Sequence, residues 1–213
     1  MGEISIPVSP AVSLPGILDV PDGAGGLVIF AHGSGSSRLS PRNRAVAARL
    51  REAGRLGTLL FDLLTPAEAA DRAKVFDIEL IGRRLLAATE WTRESASTRY
   101  LAAGYFGAST GAAAALAAAA TRPGLVAAIV SRGGRPDLAA AAAPQVQAPT
   151  LLIVGSEDTA VLELNRSVAA RLACENELAI VPGAGHLFEE PGALEEVARL
   201  AGDWLTRHLC AED

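Results

Sequence analysis

Short, continuous apolar runs along the chain alternate with longer stretches in which apolar residues recur every three or four positions. Residues 4–8 and 12–20 are strand-like but broken by Pro7, Pro10 and Pro15. Proline cannot donate to a ladder, so this pattern predicts an antiparallel sheet edge. A turn at residues 22–26 leads into Leu27-Val-Ile-Phe-Ala31, a run without polar positions, as expected of a central parallel strand covered on both faces. The glycine-rich segment from His32 to Arg38 follows. Ser40-Pro41 then reads as an N-cap with proline at the first helical position, and Val46, Leu50 and Ala53 line one face up to Gly54.

The unit then repeats. Residues 58–61 predict a strand and 62–74 a loop, and Asp77 caps a helix carrying Ile81, Leu85, Ala88 and Trp91 on one stripe. Apolar residues 101–106 predict the next strand, followed by an alanine-rich helix from Ala112. Further strands are expected at 126–130, 150–154 and 178–181, with a helix across Leu164, Val168 and Leu172 and a last one presenting Leu194, Val197, Ala201, Trp204 and Leu205. Strict alternation of this kind predicts an α/β domain, a mostly parallel sheet with helices on both faces, whose ligands bind at the carboxyl ends of the strands. The alanines at 112–120 read as a buried helix lying close to the sheet, and those at 139–143 as a second helix-former.

Composition narrows the function classes. With 213 residues, half of them hydrophobic and a fifth charged, the chain suits one domain over residues 1–213 with a sizeable core. A net charge of −5 argues against a nucleic-acid partner, which would require a basic surface. No run approaches the roughly 20 apolar residues of a membrane span, and the first residues lack the pattern of a signal peptide. Cys174 and Cys210 are far apart, without metal-ligand spacing, and read as reduced thiols. A cytoplasmic protein without membrane, metal or cofactor is expected, as a monomer or a homodimer.

The chemistry centres on Gly107-Ala-Ser109-Thr-Gly111, a G-x-S-x-G pattern between a predicted strand and a predicted helix. A serine hydroxyl is a weak nucleophile unless it is held next to a base and beside N–H donors for the developing oxyanion, and a tight strand-to-helix turn provides for both. Asp158 and His186 each lie just past a later predicted strand. Serine, acid and base thus follow one another, each at the carboxyl end of its own strand, and this joint pattern makes Ser109, Asp158 and His186 the catalytic candidates. Asp137 is the rival acid, but it follows Arg135-Pro136 and precedes alanines, where an N-cap with an arginine partner accounts for it. The loop His32-Gly-Ser34-Gly brings the Ser34 N–H beside that of Thr110 as an oxyanion hole, with His32 ordering the loop. His208, in the last turn of the terminal helix, is accounted for by the helix dipole. Arg38, Arg42, Arg132 and Arg135 follow two strand ends, and Arg38 and Arg132 are the candidates for receiving an anionic substrate group.

The segments Phe30–Arg38, Gly104–Gly111, Leu151–Asp158 and Gly183–Glu190 together resemble the dienelactone hydrolase-related branch of the α/β-hydrolases over nearly the whole chain. The resemblance implies a compact single-domain α/β-hydrolase fold without a cap domain. It further implies a serine hydrolase acting on small or short-acyl esters, with Ser109 as nucleophile, His186 as base and Asp158 as acid. Dienelactone hydrolases proper carry cysteine at the elbow, where this chain has Ser109. Some serine-type relatives are joined to phosphoribosyltransferase domains, of which no part is visible in this sequence. A thioesterase or acyltransferase of the same mechanism, and a catalytically silent interaction module, are the alternatives.

Overall fold

A computed structural model describes residues 2–52 and 55–210. Eight strands form one sheet in the order β1-β2-β4-β3-β5-β6-β7-β8. The hairpin of β1 (Gly2–Ser9) and β2 (Val12–Asp19) lies antiparallel at one end. From β4 (Leu56–Phe61) through β3 (Gly26–Ala31), β5 (Ala102–Ala108), β6 (Ala128–Arg132) and β7 (Thr150–Gly155) to β8 (Asn176–Val181), every pair is parallel.

Apolar runs become central strands here because both faces are covered. Along β3, Leu27, Ile29 and Ala31 enter one core while Val28 and Phe30 enter the other, as the two-residue strand period requires. Helices α1 (Pro41–Glu52) and α7 (Ala193–Leu209) pack over the second core; α4 (Ile78–Glu94), α5 (Thr110–Thr121) and α6 (Thr159–Ala169) serve the first. Asp77 caps α4 by accepting from the Leu80 N–H, and Ser40 Oγ accepts from Asn43 at the start of α1. Ala53 and Gly54, where α1 was expected to end, lie outside the described residues. Ala112, Ala113, Ala114 and Ala115 of α5 are fully buried, so the alanine-rich run is indeed a helix laid close against the sheet.

The structure corrects four local expectations. Pro15 belongs to β2, which has neighbours on both sides. It is tolerated because pairing with β4 starts only at Gly16, and Pro15 contributes its carbonyl to the Asp62 N–H. The expected loop at 62–74 contains two one-turn helices, α2 (Pro66–Ala69), closed by a capping box between Thr65 and Glu68, and α3 (Arg72–Val75). The strand expected at 126–130 starts at Ala128 and runs on through Ser131 and Arg132, both buried. An apolar run reports burial, and here burial and pairing are offset by two residues. The alanines at 139–143 form no α-helix: two short 3₁₀ turns, Pro136–Ala139 and Ala143–Gln145, fill the connection between β6 and β7. That connection is also where a cap domain would be inserted, and it contains none.

After β3 the chain crosses to β4 on one side, and after β5 it crosses to β6 on the other. A crevice opens between two neighbouring parallel strands where their connections diverge in this way. The loops following β3 and β5 therefore meet at one place, and the loops following β6, β7 and β8 border it.

Candidate active site

Ser109 is the hinge between β5 and α5, with φ 51° and ψ −119°. A side-chain-bearing residue in such a conformation costs of order 1–3 kcal/mol and persists only where its surroundings impose it. Those surroundings are visible: the Ser109 N–H donates to the Arg132 carbonyl, and the Ser109 carbonyl accepts from the Arg135 N–H. The flanking glycines serve a different purpose from turning. Neither has positive φ, but a Cβ at Gly111 would fall 2.0 Å from the Ala31 carbonyl oxygen, and one at Gly107 would fall 2.5 Å from Ala112 Cα. The serine makes the turn; the glycines let β3, β5 and α5 close around it.

The loop after β3 passes directly against this elbow, since a Cβ on Gly33 would lie 3.1 Å from both the Ala108 oxygen and Ser109 Cβ. Among the described residues, the backbone N–H groups of Ser34 and Thr110 have no intramolecular acceptor. Thr110 is the first residue of α5, so its N–H is one of the helix's orphan donors. His32 is buried and holds the loop: its Nδ1–H donates to the Gly33 carbonyl, and its Nε2 accepts from the Leu63 N–H at 3.0 Å. Burial pushes its pKa below the ordinary histidine value, against weaker opposing effects from Gly33 and Asp62. The neutral ring is the form that can both donate and accept.

Asp158 occupies the N-cap position of α6 but makes no capping bond. Its Oδ2 instead lies 2.6 Å from His186 Nδ1. The carriers of these two residues interlock: Glu157 donates to the Ala184 carbonyl, and a Cβ on Gly155 would fall 2.1 Å from that same oxygen. Gly133, at φ 49°, presses against the other side, where a Cβ would lie 2.9 Å from the His186 carbonyl oxygen and 3.6 Å from its Nδ1. Asp137, the rival acid, is held by Arg135 through two hydrogen bonds of 2.8 Å. It sits inside the first 3₁₀ turn, whose cap position is Arg135, so the expected N-cap is replaced by an ion pair.

Two small cavities meet at the elbow. One, of about 260 Å³, is lined by Ser109, His186, Ser34, Arg42, Asn43 and Arg132. The other, of about 190 Å³, is bordered by Ser34 and Thr110 and runs back to Leu63, Leu64, Val75 and Ile81. Gly33, Ser34 and Ser36 border both. Ser109, His186, Ser34 and Thr110 are thus brought together, with Asp158 behind the imidazole. The two candidate arginines part company. Arg38 binds the Asp62 carboxylate through its backbone N–H and its guanidinium, both at 2.7 Å, and lines neither cavity. Arg132 lines the larger one while being 93% buried by its residual exposure of 7%. Gly133, Asn43 and the apolar end of the smaller cavity were not anticipated. A G-G following a strand was the signal for Gly133, whereas the cavity depends on α2 and α3 within a segment that reads as a loop. Among the described residues, no cluster of histidine, cysteine and carboxylate side chains is arranged to hold a metal ion.

The arrangement has the parts for nucleophilic acyl transfer: a half-buried serine that lines a cavity from a strained elbow, a histidine with a carboxylate partner on the same cavity, and two free backbone donors beside the serine. Known proteins similar to this chain include hydrolases. A dienelactone hydrolase of Anabaena variabilis is 53% identical and superposes with a TM-score of 0.94, over 98% of this chain and 97% of that one. A serine hydrolase without a lid from Xanthomonas campestris, 22% identical, shares the fold with a TM-score of 0.79 over 100% of this chain and 96% of its own. Two Mycobacterium tuberculosis proteins, provisionally named phosphoribosyl transferases, are each 56% identical over 208 residues, which is 98% of this chain and 46% of theirs. The chain therefore spans about half the length of these curated relatives. The sequence model of the dienelactone hydrolase family matches residues 64–208, a span that includes Ser109, Asp158 and His186: the chain belongs to the dienelactone hydrolase family.

Proposed function

We propose that the protein is a carboxylic ester hydrolase that acts on small, short-acyl esters through Ser109, His186 and Asp158. The observation that carries this reading is the 2.6 Å contact between Asp158 Oδ2 and His186 Nδ1, on the cavity that Ser109 lines. That bond fixes the proton on Nδ1 and leaves Nε2 as the base. Ser109 Oγ attacks the ester carbonyl as its proton passes to His186. The carbonyl oxygen becomes an oxyanion held by the N–H groups of Ser34 and Thr110, each such donor contributing about 3–4 kcal/mol to the transition state in related chemistry. The C–O bond to the alcohol then breaks, His186 returns the proton to the leaving oxygen, and water repeats the sequence on the acyl-enzyme.

The two cavities divide the substrate. The oxyanion donors border the smaller, apolar one, so the acyl chain extends toward Leu63, Leu64, Val75 and Ile81; the histidine that protonates the leaving oxygen borders the larger one, which takes the alcohol part. A volume of about 190 Å³ suits a short chain, since pockets for drug-sized ligands start at roughly 300 Å³. More than half of each mycobacterial relative lies outside the match, so the transferase name is not carried over.

Purified protein should hydrolyse p-nitrophenyl acetate and should be labelled by a fluorophosphonate, with both properties lost in Ser109→Ala. Absence of turnover across esters and thioesters of varied acyl length, together with no labelling, overturns the hydrolase reading.

A further inference from the structure

The leaving-group cavity contains charge that the fold does not use. Arg132 is the last residue of β6, and its guanidinium is enclosed beneath Phe188, 6.0 Å from the ring centroid. Its Nε and Nη1 have no hydrogen-bond partner, and Nη2 reaches only Asn43 Oδ1 at 3.5 Å. No carboxylate pairs with it among the described residues. A charged group taken out of water without a partner is costly and calls for an explanation, and a ligand that completes it is one. The neighbour on the same cavity is another cation, Arg42, whose partner Glu189 is largely exposed, an ion pair of the weak surface kind.

Both Arg42 and Asn43 belong to the first turn of α1, a twelve-residue helix whose amino end opens on this cavity. Pro41 has no N–H and that of Asn43 is taken by Ser40 Oγ, which leaves the Arg42 amide as a donor at the positive end of the helix dipole. Burial, and then the charge of Arg42, push the Arg132 pKa down to about 10, so the guanidinium stays charged at neutral pH while its environment disfavours the charge. An anion would reverse that penalty.

We propose that the cavity beside His186 is an anion subsite that receives a phosphate carried on the alcohol part of the ester, held by Arg132, Arg42 and the amino end of α1. The inference rests on the ester hydrolase reading and names its substrate class: a short acyl group esterified to a phosphorylated alcohol. Phosphate is favoured over a carboxylate because two guanidinium groups and a helix terminus converge, and a dianion with three acceptor oxygens can engage all of them. The phosphoester bond is untouched. The bond that breaks is the carboxylic C–O, Ser109 Oγ takes the acyl group, and the phosphorylated alcohol departs with the proton returned by His186.

The test uses three acetyl esters that differ only in the alcohol: 2-hydroxyethyl phosphate, 3-hydroxypropionate and propanol. The phosphate ester should exceed the propyl ester in kcat/KM by roughly tenfold or more, mostly through KM, as expected of hydrogen bonds to a charged group, and should exceed the carboxylate ester. Arg132→Gln and, as a milder change, Arg132→Lys should each reduce that ratio. Independently of turnover, calorimetry with inorganic phosphate should give binding to the wild-type protein that weakens in both variants. Propyl acetate turned over with no phosphate preference and no phosphate binding overturns the anion subsite alone. Equal rates for phosphate and carboxylate esters overturn the choice of phosphate. Failure of all three esters together with failure of fluorophosphonate labelling overturns the underlying hydrolase reading instead.

Discussion

Asp158 stands at the N-cap of α6 and yet turns its carboxylate away from the helix, onto Nδ1 of His186 at 2.6 Å. An aspartate at that position ordinarily caps, a contribution of about 1 kcal/mol. Here the helix forgoes the cap and the histidine gains an orienting partner. Asp137 makes the opposite choice, with both oxygens committed to Arg135. Asp158→Asn should therefore lower kcat by about 10⁴-fold, the loss expected when the imidazole is held in the wrong tautomer. Asp137→Asn should leave turnover nearly unchanged and cost at most about 1 kcal/mol, as for a partly exposed ion pair. Steady-state kinetics on the two variants decide the matter, and a large loss in Asp137→Asn with a small one in Asp158→Asn would reverse the assignment.

Ser109 supplies a second test through its backbone. Ser109→Ala should abolish ester turnover and keep the fold, because the hydroxyl points to the cavity rather than into a core. The alanine retains a Cβ and with it the strain of φ 51°. Ser109→Gly relieves that strain, of order 1–3 kcal/mol, against an entropic penalty of about 0.5–1 kcal/mol for glycine. The glycine variant should thus unfold at a higher temperature than the alanine variant, with both inactive. Calorimetric melting of the pair measures the difference, and a glycine variant that melts lower would show that the elbow is not strained.

The order of strands and helices was legible because the central strands are buried on both faces and α1, α4, α6 and α7 on one, so the two periodicities appear directly in the order of residues, while α5, buried nearly all round, was legible from its alanines instead. That Ser109, Asp158 and His186 come together in space was legible for a related reason: in a parallel sheet, position after a strand is position in space. What could not be read depends on burial without periodicity. Arg132 looked like a loop arginine because the apolar run ends at Val130, yet β6 continues two residues further and encloses it. Arg38 looked equally available, and nothing local in the sequence announces that Asp62, on a different strand end, binds it. The need for Gly107 and Gly111 was equally hidden, since close approach to Ala112 and Ala31 is a property of three elements together.

The acyl cavity gives a third expectation. Its far wall is Leu63, Leu64, Val75 and Ile81; Leu64 and Val75 come from the α2–α3 segment and its border and Ile81 from α4, rather than from a cap after β6. Activity should fall steeply from butyryl to octanoyl esters of the same alcohol, without a rise at the micelle threshold. Val75→Ala removes volume from the half-buried part of that wall and should move the optimum toward longer chains. A panel of p-nitrophenyl esters checks both, and octanoyl turnover equal to butyryl in the wild-type protein would contradict the assignment of this cavity to the acyl group.

The last expectation concerns pH and rests on His32. Its ring is buried, joins Gly33 to Leu63, and has a pKa lowered from 6.5 by burial. Protonation would remove the acceptor at Nε2 and leave the Leu63 N–H unsatisfied, so the folded protein holds the ring neutral to lower pH than the unfolded chain does. Between the lowered folded value and 6.5, the unfolded state binds more protons, and stability rises with pH through that window by at most about 1.4 kcal/mol per pH unit. The contribution is complete above the unfolded value and is lost progressively as the solution is acidified below it. Urea denaturation at a series of pH values should accordingly show wild-type stability falling from pH 7 toward pH 5, and a shallower fall in His32→Gln, whose side chain can both donate and accept without titrating. Since the comparison is between slopes, a uniform loss of stability in the variant does not affect it. Parallel slopes would mean that His32 does not contribute to the acid sensitivity of the fold, and that the oxyanion loop is held by its other contacts.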